Sequence, residues 1–156
     1  MKIKYVCPLI AVKDINKSRY FYENVLKQEV EIDHGENVAF KGGFAIHDIE
    51  HFQNLTGKSI NKKVDSKDFI ELYFELDEIE VMETKLKSLD VEFVHEMREQ
   101  PWGQRVMRFY DPDKYIIEIG EPLEYVIKRF AALGLSLEEI SERSSMPIEF
   151  VKIVLE

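Results

Sequence analysis

Phe69-Ile70-Glu71-Leu72-Tyr73-Phe74-Glu75-Leu76-Asp77, running on into Glu78-Ile79-Glu80-Val81-Met82, is the stretch on which the fold turns. Its first nine residues alternate. Ile70, Leu72, Phe74 and Leu76 share one face, and Glu71, Tyr73 and Glu75 share the other, the period of a half-buried strand. The period then changes. Ile79, Met82, Leu86 and Leu89 recur at helical spacing, and Asp77 with Glu80 three residues on predicts a capping box. Residues 91–97, 104–110 and 115–119 follow as predicted strands, with Asp111-Pro112-Asp113-Lys114 as the tight turn before the last.

The same grammar stands earlier in the chain. Residues 3–12 read as a strand and Asp14 as an N-cap. Behind it Ile15, Phe21, Tyr22, Val25 and Leu26 recur at helical spacing. Three short strands are predicted at 29–33, 37–41 and 44–48, separated by His34-Gly35 and Gly42-Gly43. An offset of 64 places Val12 on Leu76, Ile15 on Ile79 and Tyr22 on Leu86. The repeat is one of pattern, and its length implies paired modules rather than a solenoid. The sequence therefore predicts an α+β fold of paired βαβββ modules, about 3–48 and 69–119. Each module buries one sheet face under its helix, so the other faces are expected to enclose a cup of mixed sheet. Residues 49–67 are polar without a clear period and read as a long loop.

Residues 121–156 differ. Leu123, Val126, Ile127 and Phe130 form a helical stripe, Gly134 ends it, Ser136 with Glu139 predicts a capping box, and Pro147 opens a third helix. The expected division is a domain over 1–120 and a helical, helix-turn-helix-like appendage over 121–156.

Composition narrows the function. The 156 residues carry a formal charge of −9, with 45% hydrophobic and 33% charged residues. So acidic a chain is a poor partner for nucleic acid or an anionic membrane. The tail agrees: from Ser136 onward five glutamates face only Arg143 and Lys152, where a recognition helix needs the opposite balance. One cysteine allows no internal disulfide, which points to a cytoplasmic setting. Lys2, Lys4 and Lys13-Asp14 break up the apolar start, so neither a signal peptide nor a membrane span is expected.

Two segments carry a resemblance. One is Ile10-Ala11-Val12-Lys13-Asp14 with Ser18, Phe21 and Tyr22. The other is Pro101-Trp102-Gly103-Gln104-Arg105 with Phe109, Asp111-Pro112-Asp113 and Glu118. With the repeat, they resemble the vicinal oxygen chelate superfamily of glyoxalase I, bleomycin-resistance proteins, fosfomycin-modifying enzymes and extradiol dioxygenases. The chain departs from it at Lys114, where the family has glycine, and a left-handed backbone there would cost about 1 kcal/mol.

The resemblance implies a small-molecule protein, a homodimer in many members, and divalent-metal ligands on the cup-facing strands. Carried over, those positions fall on Cys7, His47, Glu71 and Glu118. Alternation independently sends each of the four away from the apolar row of its strand. Such a set could hold zinc, nickel, manganese or iron. Glu71 and Glu118 would then also be the catalytic carboxylates of a lyase, isomerase or transferase that chelates neighbouring substrate oxygens. The family's usual histidines are replaced at two positions, by Cys7 and Glu71. The alternative is a metal-free drug- or metabolite-binding protein, with Tyr73, Trp102 and Arg105 as candidate substrate contacts and Tyr5, Phe40 and Tyr110 as further aromatic wall. Arg105 is alternatively a surface residue paired with Glu99 or Asp113. His51 and His95 are expected in solvated positions.

Overall fold

The structure, a computed structural model, describes residues 6–56 and 67–156. The fold is α+β, and the described residues form two four-stranded mixed sheets and six α-helices. The chain divides into two compact units. One holds the first four strands with residues 111–114, and the other holds the last four strands and the C-terminal helices.

The first unit runs β1 (Leu9–Val12), α1 (Ile15–Tyr20), β2 (Val30–Asp33), β3 (Asn37–Phe40), β4 (Phe44–Asp48) and α2 (Ile49–Thr56). Its sheet order is β1-β4-β3-β2, with β1 parallel to β4 and the other pairs antiparallel. Asp14 caps α1 by accepting the Lys17 N–H at 3.0 Å. The helix widens into a π-turn over Phe21–Val25, which buries Phe21, Tyr22 and Val25. Tyr22 packs against Phe40 and Phe44, and those two rings stack at 4.7 Å. Phe40 is thus a core residue rather than a ligand-facing wall. Tyr5 lies outside the described residues.

Residues 49–56 were expected to be loop and are helix. Asp48 supplies the reason, accepting the N–H groups of Glu50 and His51 at 3.0 Å each and so starting α2 at the strand end.

The turn 111–114 explains the quoted motifs. The Asp111 carboxylate accepts the Tyr22 hydroxyl at 2.8 Å. The Asp113 carboxylate accepts the Ser18 hydroxyl and the Lys13 N–H, each at 2.9 Å. All four side chains are buried. Ser18, Tyr22, Asp111 and Asp113 are thus one structural network. Lys114 has φ 68°, the left-handed conformation that glycine would relieve.

The second unit runs β5 (Lys67–Glu75), α3 (Ile79–Ser88), β6 (Phe93–Glu99), β7 (Arg105–Tyr110), β8 (Tyr115–Gly120), α4 (Leu123–Ala132), α5 (Leu137–Ser144) and α6 (Ile148–Leu155). Its sheet order is β5-β8-β7-β6, the first unit's order repeated. The capping box expected at Asp77 does not form. Glu78 is the N-cap, and the Asp77 carboxylate accepts the Tyr125 hydroxyl at 2.8 Å instead. Ser136 and Glu139 do form theirs on α5. Val126, Ile127, Phe130, Ile140 and Val151 make the core of the three C-terminal helices. No helix among the described residues is long and apolar enough to cross a membrane.

Candidate functional site

The register of the second sheet sorts its side chains onto two faces. Met107 pairs with Ile119 and Phe109 with Ile117, and all four are buried. On the other face Arg108 pairs with Glu118 and Tyr110 with Ile116. Directly opposed residues share a face, so Arg108 and Glu118 are neighbours by construction.

Arg108 organises this face. Its Nε donates to Glu71 Oε2 at 2.6 Å, its Nη2 makes an ion pair with Glu118, and its Nη1 lies 3.2 Å from His95 Nε2. Glu118 is 7% exposed. Its Oε2 accepts no well-formed hydrogen bond among the described residues, so the guanidinium charge is what compensates its burial. The His95 tautomer follows from its partners. Nδ1 sits 2.8 Å from the Glu96 carbonyl oxygen, which can only accept. Nδ1 therefore carries the proton, and Nε2 turns a lone pair toward Arg108, which can only donate.

A second network lies beside the first. The Trp102 indole donates to Gln104 Oε1 at 3.0 Å, Gln104 Nε2 donates to the Tyr73 hydroxyl at 3.0 Å, and that hydroxyl donates to Glu75 at 2.9 Å. Gln104 is buried and also donates to the Glu121 carbonyl at 2.7 Å. Tyr73 is 47% exposed and Trp102 38%, so two aromatic side chains held by a buried amide remain open to a ligand. Partial burial and the bond to Glu75 push the Tyr73 phenol up to about 12, so it stays protonated at neutral pH.

Arg105 lies on β7 at odd parity with Arg108 and so on the opposite face. It pairs with Glu80 and Glu121, not with Glu99 or Asp113. Burial works against the Glu121 charge, but Arg105 and Arg129 together hold the carboxyl below its usual range. This cluster braces α4 against the sheet.

In the first unit, His47 is buried on β4 and Cys7 is half-buried ahead of β1. They do not meet. His47 is level with Ala11, four residues beyond Cys7, which is about 13 Å along a strand. The neighbours of His47 are Asn37, whose amide is 3.1 Å from Nδ1, and His51, whose Nδ1 is 2.9 Å from Nε2. Burial, then the His51 charge, push the His47 imidazole below its usual range. Of the four proposed ligands, Glu71 and Glu118 converge within one unit, and a guanidinium stands between them.

The residues do not fit a metal as they stand. A divalent ion bridging Glu71 and Glu118 would have to sit where the Arg108 guanidinium already pairs with one oxygen of each. Among the described residues no group of three or more His, Cys, Asp or Glu is disposed to hold one.

Arg108, His95 and Gln104 were not among the expected site residues. The signal for Arg108 lies in the 111–114 turn, which fixes the hairpin register and sets residue 108 opposite 118. His95 follows only from two irregularities in the β6–β7 pairing, which local sequence does not announce.

The comparisons with known proteins agree with this architecture. Residues 5–124 match the family model described as a glyoxalase-like domain. A protein of unknown function from Agrobacterium tumefaciens str. C58 is 34% identical, with a TM-score of 0.70 over 78% of this chain and 96% of that one. Lactoylglutathione lyase from Agrobacterium tumefaciens is similar in fold, at 19% identity and a TM-score of 0.56 over 78% of this chain and 96% of its own. So is the fosfomycin resistance protein FosX from Listeria monocytogenes, at 21% identity and a TM-score of 0.58 over 78% and 95%. No curated protein matches the sequence.

Proposed function

The chain belongs to the glyoxalase-like domain family, and from that membership we propose that it is a small-molecule-binding protein that works without a resident metal. Its ligand would lie on the polar face of the second sheet, over Tyr73, Trp102 and the Arg108 cluster. One observation carries this reading: Arg108 already supplies the positive charge that Glu71 and Glu118 require. A metal-dependent lyase, isomerase or transferase would need those carboxylates free to chelate.

The charge of the face sets the ligand class. Within the two hydrogen-bonded networks of this face, Glu71, Glu75 and Glu118 against Arg108 leave two negative charges. That disfavours anions. It favours an uncharged or cationic molecule with a flat, apolar part to cover Tyr73 and Trp102. A homodimer belongs to the same proposal, on the family likeness alone.

The test is thermal melting of chelator-treated protein against a panel of aromatic cations, neutral aromatics and aromatic carboxylates. A ligand at a hundredfold excess over its Kd contributes about 2.7 kcal/mol. Cations or neutral compounds should raise the melting point by several degrees with no metal present, and Trp102→Ala should abolish the shift. A shift that appears only after metal is restored would sink the reading.

A further inference from the structure

Three donors surround the Arg108 guanidinium within the second unit. Glu71 Oε2 is 2.6 Å from Nε, Glu118 lies against Nη2, and His95 Nε2 is 3.2 Å from Nη1. Two carboxylates and an imidazole are a donor set that suits a divalent transition ion. His95 is also arranged as a ligand would be. Its Nδ1–H is fixed by the Glu96 carbonyl at 2.8 Å, which leaves Nε2 with its lone pair directed inward. Metal-binding histidines are held by this kind of outer hydrogen bond. The three donors come from β5, β8 and β6, so the sheet rather than one mobile loop sets their spacing.

We propose that Arg108 is the resident cation of this face, a side chain standing where Glu71, Glu118 and His95 would otherwise hold a divalent metal. The chain keeps the donors of a metal site and closes it with its own guanidinium. Arg108 is then a specificity-determining residue that makes the second module refuse metals. The proposal rests on the metal-independent reading above, but it adds a ligand, His95, and a cause.

The geometry argues for a plug rather than an incidental surface pair. Glu118 is buried, so its charge cannot be left to solvent. Arg108 meets all three donors at once through three different nitrogens. An ion would sit about 2.0–2.2 Å from each donor. Glu71 is exposed and His95 half-buried, so both side chains have room to close inward once the guanidinium is gone.

The experiment compares the wild type with Arg108→Ala and Arg108→Gln. Each is stripped with chelator and then melted with and without zinc, manganese or nickel. Bound metal per chain is measured after dialysis. The wild type should show no ion-dependent shift. Both variants should gain several degrees with at least one ion and retain about one metal per chain. Adding His95→Ala or Glu118→Gln should remove that gain. Arg108→Gln keeps a donor for Glu118 and carries the test if the alanine variant fails to fold. Variants that bind no metal, or whose binding survives loss of His95 and Glu118, would overturn the proposal while leaving metal-independent ligand binding standing. A wild type that binds metal as tightly as its variants would overturn both.

Discussion

Gly103 sits where the tail helix α4 meets the loop that presents Trp102. Its φ is +85°, and a Cβ built there would lie 2.1 Å from Phe130 Cζ and 2.8 Å from Cε2. Replacing it with alanine should therefore incur two costs. The left-handed backbone costs a non-glycine residue about 1–2 kcal/mol. Forcing a methyl against a fully buried ring costs about 1–3 kcal/mol more. The expected loss is about 2–5 kcal/mol, or roughly 5–15 °C for a chain of this size. Phe130→Ala alone should cost about 3–5 kcal/mol. If the overlap is the cause, the two losses will not add. With the ring gone, Gly103→Ala should cost only its backbone share, leaving a coupling of about 1–3 kcal/mol. Urea unfolding followed by circular dichroism measures all four proteins. The single tryptophan, Trp102, adjoins the site, so its fluorescence gives a second readout. Strict additivity would show that Gly103 is not held by Phe130, and the account of how α4 braces the loop would fall.

Three other outcomes are expected. Glu121→Gln removes a buried carboxylate shared by Arg105 and Arg129 and should cost about 3 kcal/mol at neutral pH. Its folded pKa is depressed below the usual 4.5. The stability it contributes is therefore present above that value and lost as pH falls through the folded pKa, so the urea midpoints of wild type and variant should converge on acidification. Tyr22→Phe leaves the buried Asp111 carboxylate one donor short and should cost about 1.5–3 kcal/mol by the same unfolding assay. Lys114→Gly should stabilise by about 0.5 kcal/mol, because relief of left-handed strain exceeds the unfolded-state entropy that glycine adds. A lower melting point in that variant would contradict the strain.

The amino-acid sequence determined the modules. Period-two alternation at 70–76 and period 3.6 from Ile79 follow from how side chains project from strands and helices, and they need no tertiary information. The repeat of that grammar at an offset of 64 fixed a matching strand order in both sheets. The Ser136 capping box was equally legible because all of its partners lie within four residues. The helix at 49–56 was not, since it depends on one capping carboxylate in a stretch without strong periodicity. The candidate site divided in the same way. Parity placed Glu71 and Glu118 on a common face of their sheet. That Arg108 stands between them, that His95 turns a lone pair to the same point, and that Arg105 faces the opposite side depend on register across four strands. A one-residue slip would reverse every one of those faces, so only the assembled sheet decides which charges meet.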